Sequence, residues 1–479
     1  MMLRRIRIIL AAVCFVLITL LFVGIGRDWW GFLSKLQVLP LTLRVIGGAT
    51  LGNVALLLGI LLLTWLLGRI YCSVLCPLGV FQDLVLWIRR TLGKSAKPLR
   101  KRFKFNKERP WLRYGVLAAF IACIVADLQI VVALLGPYSA YGRMVTSVTG
   151  KGAVPVLIAA AVTFVVIVLC AWAWGRAWCN NICPVGTLLG TVSRYSLFGI
   201  KVDEDKCVKC GVCSRQCKAS CIEEGTIRID RSRCVDCFDC IDACKKGALS
   251  FGKVPCKAAG KAPEASGGKP EDASRRAFIG ASAMLLAGAA GTTVARAQEM
   301  KVDGGLAPLE PKTAVERDPL LVPPGAGSVK NFYNSCTACQ LCVTACPNKV
   351  LRPSTDLGHL LQPQMGYENG FCRPECTACS QVCPAGAIRP VDKEAKTLIR
   401  IGTAVVNTDL CLAARGEEGC GACERHCPTG AISMVSVDGK RRPAVAEEQC
   451  IGCGKCEYLC PARPVSAITV KGLGTHINK

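Results

Sequence analysis

Apolar and polar positions along this chain fall into long blocks. One apolar run, Ile8 to Ile25, follows Arg4, Arg5 and Arg7; others run from about Ala49 to Leu67, Tyr114 to Leu135 and Val154 to Trp174. Runs of this length, nearly free of charge, predict helices that cross a hydrocarbon layer about 30 Å thick. The arginines ahead of the first run place the N-terminus inside, and with no small-residue cleavage site after it the run reads as an uncleaved anchor. Between the second and third runs, Lys94 to Arg113 carries nine basic residues and one acidic one, a cytoplasmic flank by the same rule. Loops 27–48 and 136–152 then lie outside, and the chain returns to the cytoplasm near Gly175.

Beyond this point the pattern becomes polar. A cysteine-rich block runs from Lys201 to about Cys256, followed by the flexible linker composition KAAGKAPEASGGKPEDAS. A moderately apolar Ala/Gly-rich run, Ala277 to Ala295, comes next, then Pro-rich residues to about 330, then a second cysteine-rich block. The predicted organisation is a membrane domain (1–200), an inner cysteine domain (201–256), a linker (257–273), an internal signal or span (274–298), a Pro-rich linker (299–330) and an outer cysteine domain (331–479). If the fifth run crosses, the last domain lies outside.

The 479 residues include 33 cysteines, three histidines and a formal charge of +25. No histidine falls in an apolar run, which excludes a membrane haem held by paired histidines of this chain. The charge clusters beside the apolar runs, and cluster-bound thiolates would lower it, so it does not argue for nucleic acid. Basic patches suit anionic lipid or acidic partners.

Most cysteines fall in six groups. The inner block has Cys207, Cys210, Cys213 and Cys217, then Cys234, Cys237, Cys240 and Cys244, both C-x2-C-x2-C-x3-C. The outer block has Cys336, Cys339, Cys342 and Cys346; Cys372, Cys376, Cys379 and Cys383; Cys411, Cys420, Cys423 and Cys427; and Cys450, Cys453, Cys456 and Cys460. Three closely spaced thiolates wrap one face of a cubane, and the fourth reaches the neighbouring cluster. Cys217 should therefore join Cys234, Cys237 and Cys240, and Cys244 should join Cys207, Cys210 and Cys213. Pro follows the fourth Cys in the four outer groups, whereas Lys218 and Lys245 stand there in the inner pair. The short segments ALSF, AIRPV, AISMV and AITV after the groups predict strands beside the cluster helices. Zinc sites and disulfides are the rival readings, but repeated CxxCxxCxxxCP is far more specific for iron–sulfur. Cys221 is an alternative ligand to Cys217, and the regular spacing favours Cys217. Cys14, Cys123 and Cys170 read as apolar packing.

A repeat stands at the membrane edge. GRIYCSVLCPLG (68–79) and GRAWCNNICPVG (175–186) share Gly-Arg-x-aromatic-Cys-x3-Cys-Pro-x-Gly at an offset of 107 residues. Cys72, Cys76, Cys179 and Cys183 are candidates for a seventh redox centre or two thiol pairs; packed free thiols are the plain alternative. In helices each pair would share a face, with Pro77 and Pro184 ending or kinking the helix. Arg69 and Arg176 would offset anionic sulfur or bind headgroups. Asp127, inside the third run, and Asp83, just after the first motif, are the candidate acceptors for a quinol proton, although Asp127 can equally be a helix-interface hydrogen-bond partner. No strand–GxGxxG–helix fingerprint occurs, so no nucleotide site is expected.

These motifs carry a resemblance. The paired CxxxCP repeats with the inner eight cysteines resemble NapH-type membrane ferredoxins, with related patterns in the NosR and CcoG groups. From Ser274 onward the chain resembles NapG-type periplasmic four-cluster ferredoxins, and Ser274-Arg275-Arg276-x-Phe278-Ile279 resembles a twin-arginine export signal, with cleavage after Ala297 as one outcome and a plain fifth span or linker helix as the alternative. The resemblance implies a fusion of the two. It would be a multi-domain integral membrane protein of the prokaryotic inner membrane, an α-helical four-span repeat plus a fifth span. Its inner two-cluster and outer four-cluster ferredoxin-like α+β domains would lie in the cytoplasm (201–273) and periplasm (299–479). It implies six [4Fe-4S] clusters and electron transfer from membrane quinol to a periplasmic reductase or cytochrome in anaerobic respiration, with the chain as a quinol dehydrogenase component among other subunits. It also implies a nested exchange of ligands: Cys460 to the set of Cys336, Cys346 to the set of Cys450, Cys427 to the set of Cys372, and Cys383 to the set of Cys411. The alternatives are an electron-supply or maturation factor for a periplasmic metalloenzyme, and a non-catalytic anchor and wire in a larger complex. How electrons cross between the two blocks stays open at this level.

Overall fold

The structure is a computed structural model that describes residues 2–47, 50–95, 105, 109–125, 129–149, 154–223, 228–254, 310–416, 419–437 and 439–478. The internal signal at 274–298, the linker at 257–273, Cys256 and Asp127 therefore lie outside the described residues. The chain forms two compact units. The first takes in residues 1–20, 36–145 and 157–293, and the second takes in 21–35, 146–156 and 294–479.

Among the described residues, two helices are long and apolar enough to cross a membrane, Met2–Val23 and the Val156–Trp174 part of helix Val154–Trp174. The latter leaves Ile158, Val162, Val165 and Leu169 exposed. Such a face is stable against lipid and unfavourable against water. The other two expected spans are shorter. Leu51–Leu67 has 17 residues, about 25 Å at 1.5 Å per residue, with Thr50 accepting from the Asn53 N–H at its start. It ends at Gly68, whose φ of +80° suits glycine. The third run is described as two helices, Pro110–Val125 and Gln129–Leu135. Helices Pro77–Ser95 and Pro184–Ser193 start at the motif prolines, where a missing N–H costs nothing.

The inner cysteine block hangs on one antiparallel pair, Phe198–Val202 against Leu249–Lys253, with Ile200 opposite Phe251. In the second unit Ile399–Val406 pairs with Ile468–Asn478, Ile432–Val437 with Lys440–Val445, and Leu351–Pro353 with Pro363–Met365. Thus ALSF, AISMV and AITV lie in strands. AIRPV (387–391) does not: Pro390 cannot donate to a ladder, and the Arg389 N–H bonds to Gly325 O at 3.0 Å.

The Pro-rich segment needs a correction. From 310 to 330 it is a packed strap of the outer domain, although its prolines predict a linker. Leu321, Val322 and Ala326 are fully buried. The Thr313 N–H bonds to Pro464 O at 2.9 Å and the Met365 N–H to Leu321 O at 3.0 Å. The Arg317 guanidinium pairs with buried Glu457.

Candidate metal centres

The duplicated motif closes on itself by reciprocal contacts. The Arg69 Nη2 donates to the carbonyl of Cys179 at 3.3 Å, and the Arg176 Nη1 donates to the carbonyl of Cys72 at 2.8 Å. Each arginine thus serves the other repeat, and both are fully buried. A Cβ on Gly79 would overlap the Cys72 oxygen, and one on Gly186 would overlap the Cys179 oxygen. The last glycine of each motif is therefore required by close backbone approach. Cys183 caps the helix at Pro184, its sulfur accepting the Gly186 N–H at 3.4 Å. The helical face-sharing expected of each pair is not what forms: Cys72 lies in the short helix Ile70–Val74 and Cys76 beyond its end, because Pro77 starts a new helix. All four thiols are buried, and none is in a disulfide. Burial pushes the Cys76 thiol well up, and neighbouring Cys72 and Cys179 push it further. Burial likewise raises Cys183, with Cys179, Cys76 and Cys72 adding to it. Four thiols within electrostatic reach, framed by two buried guanidinium groups, suit an anionic multi-thiolate centre.

Asp83 sits beside this motif. Its carboxylate accepts from Arg176 Nε at 2.8 Å and pairs with Arg7 at 3.0 Å and Lys218 at 2.9 Å. Burial alone would raise its pKa, but Arg176, Lys218 and Arg7 outweigh that and hold it below the usual carboxylate range. A carboxylate so held is a weak base. Its geometry is that of a counter-ion and not of the proton acceptor expected from the sequence. The same network explains Lys218. Its Nζ also approaches Asp239 at 3.6 Å, and Asp239 accepts from Arg4 at 2.9 Å and Arg90 at 3.2 Å. A lysine in place of proline after the fourth Cys ties the inner cysteine domain to the helix after the first motif, a role well beyond local stiffness.

Four of the six cysteine loops share one backbone shape. The residues either side of the second Cys have positive φ in four groups: Lys209 and Gly211 around Cys210, Asp236 and Phe238 around Cys237, Ala338 and Gln340 around Cys339, and Gly452 and Gly454 around Cys453. Left-handed conformations at non-glycine residues are uncommon, and paired ones turn backbone N–H groups toward the concave side. The Ala338 N–H points at Cys336 Sγ, 3.4 Å away. A short helix then carries the third Cys, as in Val212–Gln216 and Asp239–Ala243, and the fourth follows in extended backbone. This cradle suits anionic sulfur. Among the described residues no three Cys, His, Asp or Glu side chains close on a single ion. A cubane instead takes each thiolate on a different iron, which needs wider sulfur spacing.

In the inner domain Cys217 lies close enough to Cys237 and Cys240 to raise their thiols, after burial as the larger cause. Cys221 is buried 3.4 Å from Cys217 and hydrogen-bonds to Cys234 as well. Both sulfurs therefore reach the Cys234 set.

The outer domain overturns the nested exchange. Cys383 lies beside Cys339 and Cys342. Cys346 shares a cavity wall with Cys372, Cys376 and Cys379. Cys460 shares one with Cys411, Cys420 and Cys423. Cys427 is beside Cys453 and Cys456. Neighbouring groups thus exchange their fourth cysteines, as Cys217 does in the inner domain, because helix Leu341–Ala345 packs on Ala378–Val382 and Ala422–Arg425 packs on Lys455–Leu459. The two pairs then meet: the Cys372 N–H donates to Cys453 O at 2.9 Å, and the buried Tyr367 hydroxyl donates to Gly452 O at 2.6 Å. The spatial order is the Cys336 set, the Cys372 set, the Cys450 set, the Cys411 set. Buried Lys396 donates to the carbonyl of Arg373 at 2.6 Å and to that of Cys376 at 2.5 Å, placing a cation at the second set. The sequence alone offered no signal for Lys396 or Tyr367. His426 is exposed, and His359 stacks on Tyr333 at 3.8 Å.

Comparison with known proteins supports [4Fe-4S] binding by this chain. The family described as "4Fe-4S binding domain" matches residues 50–95 and 156–203, the two halves that carry the duplicated motif, and "4Fe-4S dicluster domain" matches 418–463. The chain is 32% identical over 175 residues to the methylamine utilization ferredoxin-type protein MauN of Paracoccus denitrificans, covering 36% of this chain and 53% of that protein. It is 30% identical over 226 residues to MauN of Methylorubrum extorquens, covering 45% and 73% respectively. It is 29% identical over 180 residues to the ferredoxin-type protein NapH of Haemophilus influenzae, covering 37% and 55%. For the first and last of these the chain spans just over half of the relative's length. Fold, cysteine loops and relatives together define a [4Fe-4S] electron-transfer protein. The chain belongs to the ferredoxin-type family that includes MauN and NapH. Its apolar helices and NapH-like relatives are consistent with an inner-membrane protein.

Proposed function

We propose that this chain takes electrons from membrane quinol and passes them through its outer domain to a periplasmic reductase or cytochrome. The observation that carries this reading is the unbroken succession of four cysteine sets in the outer domain, joined in the middle by the Cys372–Cys453 backbone hydrogen bond. Bound clusters would supply one-electron steps at each set. The chain's own residues hold the thiolates, exclude water from the Cys336 set and set the field with Lys396. In this reading six [4Fe-4S] clusters occupy the six cysteine sets, residues 1–273 are anchored with the inner domain cytoplasmic, and the segment at 274–298 delivers 299–479 across the membrane as a twin-arginine-like signal or fifth span.

The test is a quinol titration of the purified, cluster-replete chain in lipid nanodiscs. A short-tailed ubiquinol analogue is expected to bleach the visible cluster absorbance and generate reduced-cluster paramagnetic signals without any partner. Absence of reduction, while dithionite still reduces the clusters, would favour the anchor or maturation readings and sink autonomous quinol oxidation.

The duplicated motif is proposed as a seventh cluster site. Cys72→Ala and Cys179→Ala are each expected to lower bound iron by one cluster's worth and to leave the other six signals intact. Unchanged iron in both variants would make the four thiols structural packing.

A further inference from the structure

The second unit contains a cleft of about 720 Å³ lined among others by Gly26, Trp29, Trp30, Ser335, Ala385 and Arg389. Two walls of this cleft touch one end of the row of cysteine sets. Ser335 immediately precedes Cys336, and Ala385 lies two residues past Cys383, which are two ligands of the same set. The remaining wall comes from the segment that follows the first apolar helix in the chain. There the Trp30 indole lies flat against Gly26, whose φ is +72° and where a Cβ would overlap the ring. The Trp30 Nε1 is buried and has no hydrogen-bond partner among the described residues. Trp29 is 84% exposed. Tryptophans just beyond an apolar helix sit at the membrane–water boundary, where an amphipathic headgroup also resides.

The two ends of the row differ. Cys336, Cys339, Cys342 and Cys383 are all buried. At the far end, Cys411, Cys420 and Cys423 are only half-buried. The wrapped end suits entry from a small lipid-borne carrier, and the open end suits a soluble partner.

We propose that this cleft binds the headgroup of a membrane quinol and is the electron entry point of the outer domain. This rests on the quinol reading above and adds its site. A flat aromatic ring would lie against the Trp29 and Trp30 indoles, with a ring oxygen toward Arg389. Oxidation releases two protons to water at the open side of the cleft and two electrons. The electrons would pass one each to two oxidised [4Fe-4S] clusters held by the cysteine sets, of which Cys336, Cys339, Cys342 and Cys383 stand nearest the cleft, and the quinone would leave into lipid. No electron has to cross the bilayer along this route, and the inner cysteine domain then serves a separate branch.

The test uses the full chain in nanodiscs and an azido-benzoquinone photolabel, so that binding is read without turnover. Label is expected on peptides containing Trp29–Trp30 or Ala385–Pro390, and an unlabelled short-tailed quinone should compete it away. Trp29→Ala, which removes the exposed indole, and Arg389→Ala should each raise the quinol concentration for half-maximal reduction about tenfold, the loss expected for one aromatic contact or one charge-assisted hydrogen bond. Cluster content and dithionite reduction should not change. Label elsewhere, label that does not compete, or wild-type titrations in both variants would overturn the cleft assignment even if quinol reduces the protein. Competed label in the cleft with no reduction by quinol would uphold the site and sink the quinol-oxidation reading.

Discussion

Asp83→Asn is expected to destabilise the membrane-proximal unit by about 3–5 kcal/mol, the usual cost of stranding buried charge. The substitution is nearly isosteric, so its effect is electrostatic. It leaves Arg7, Arg176 and Lys218, all buried, without the carboxylate that sits 2.7 to 3.0 Å from their nitrogens. That is a large share of a typical domain stability of about 5–15 kcal/mol. Lys218 immediately follows Cys217, so the inner cysteine domain should loosen with it. Thermal unfolding in detergent and loss of inner-cluster signals on mild heating are the readouts. An unaltered melting profile would mean the network contributes nothing. The sign with pH follows from the depressed carboxyl. Its stabilisation is complete above about pH 4, the ordinary Asp range, and is lost as the pH falls further.

Cys383→Ala and Cys460→Ala should have large and opposite local effects. Cys383→Ala is expected to remove or convert the cluster at Cys336, Cys339 and Cys342 and to spare that at Cys411, Cys420 and Cys423. Cys460→Ala should do the reverse. Iron analysis with cluster-resolved redox titration separates them. If Cys460→Ala instead removes the Cys336 cluster, the nested exchange is right and the neighbour exchange seen in the structure is wrong. The distinction matters for function, because the order of sets along the row, and hence which end receives electrons, follows from it.

Much of this protein could be read from residue order. Cysteine spacing marked six candidate sets, since a cubane needs three ligands in one tight loop whatever surrounds it. The apolar runs located the helices, and the 107-residue repeat marked a second kind of cysteine site. Other features were legible only as oddities. The lysine at 218, where the outer groups have proline, stood out in the sequence, but its partners Asp83 and Asp239 come from other segments. Asp83 was a candidate base because it follows the first cysteine motif closely, and three cations that spacing could not reveal make it a counter-ion. The prolines of 310–330 suggested a linker, yet the segment buries Leu321 and Val322.

The sequence by itself thus determined the chemistry: which thiols group, which helices are apolar, and which family the chain joins. Ligand loops and apolar runs are local, and local patterns are written in consecutive residues. Tertiary structure alone decided the partners. It swapped fourth ligands between neighbouring groups, crossed Arg69 and Arg176 between repeats, set Tyr367 between two sets and brought Trp30 to the wall beside Ser335. Those contacts depend on how elements pack across tens to hundreds of residues, and no spacing rule along the chain encodes that.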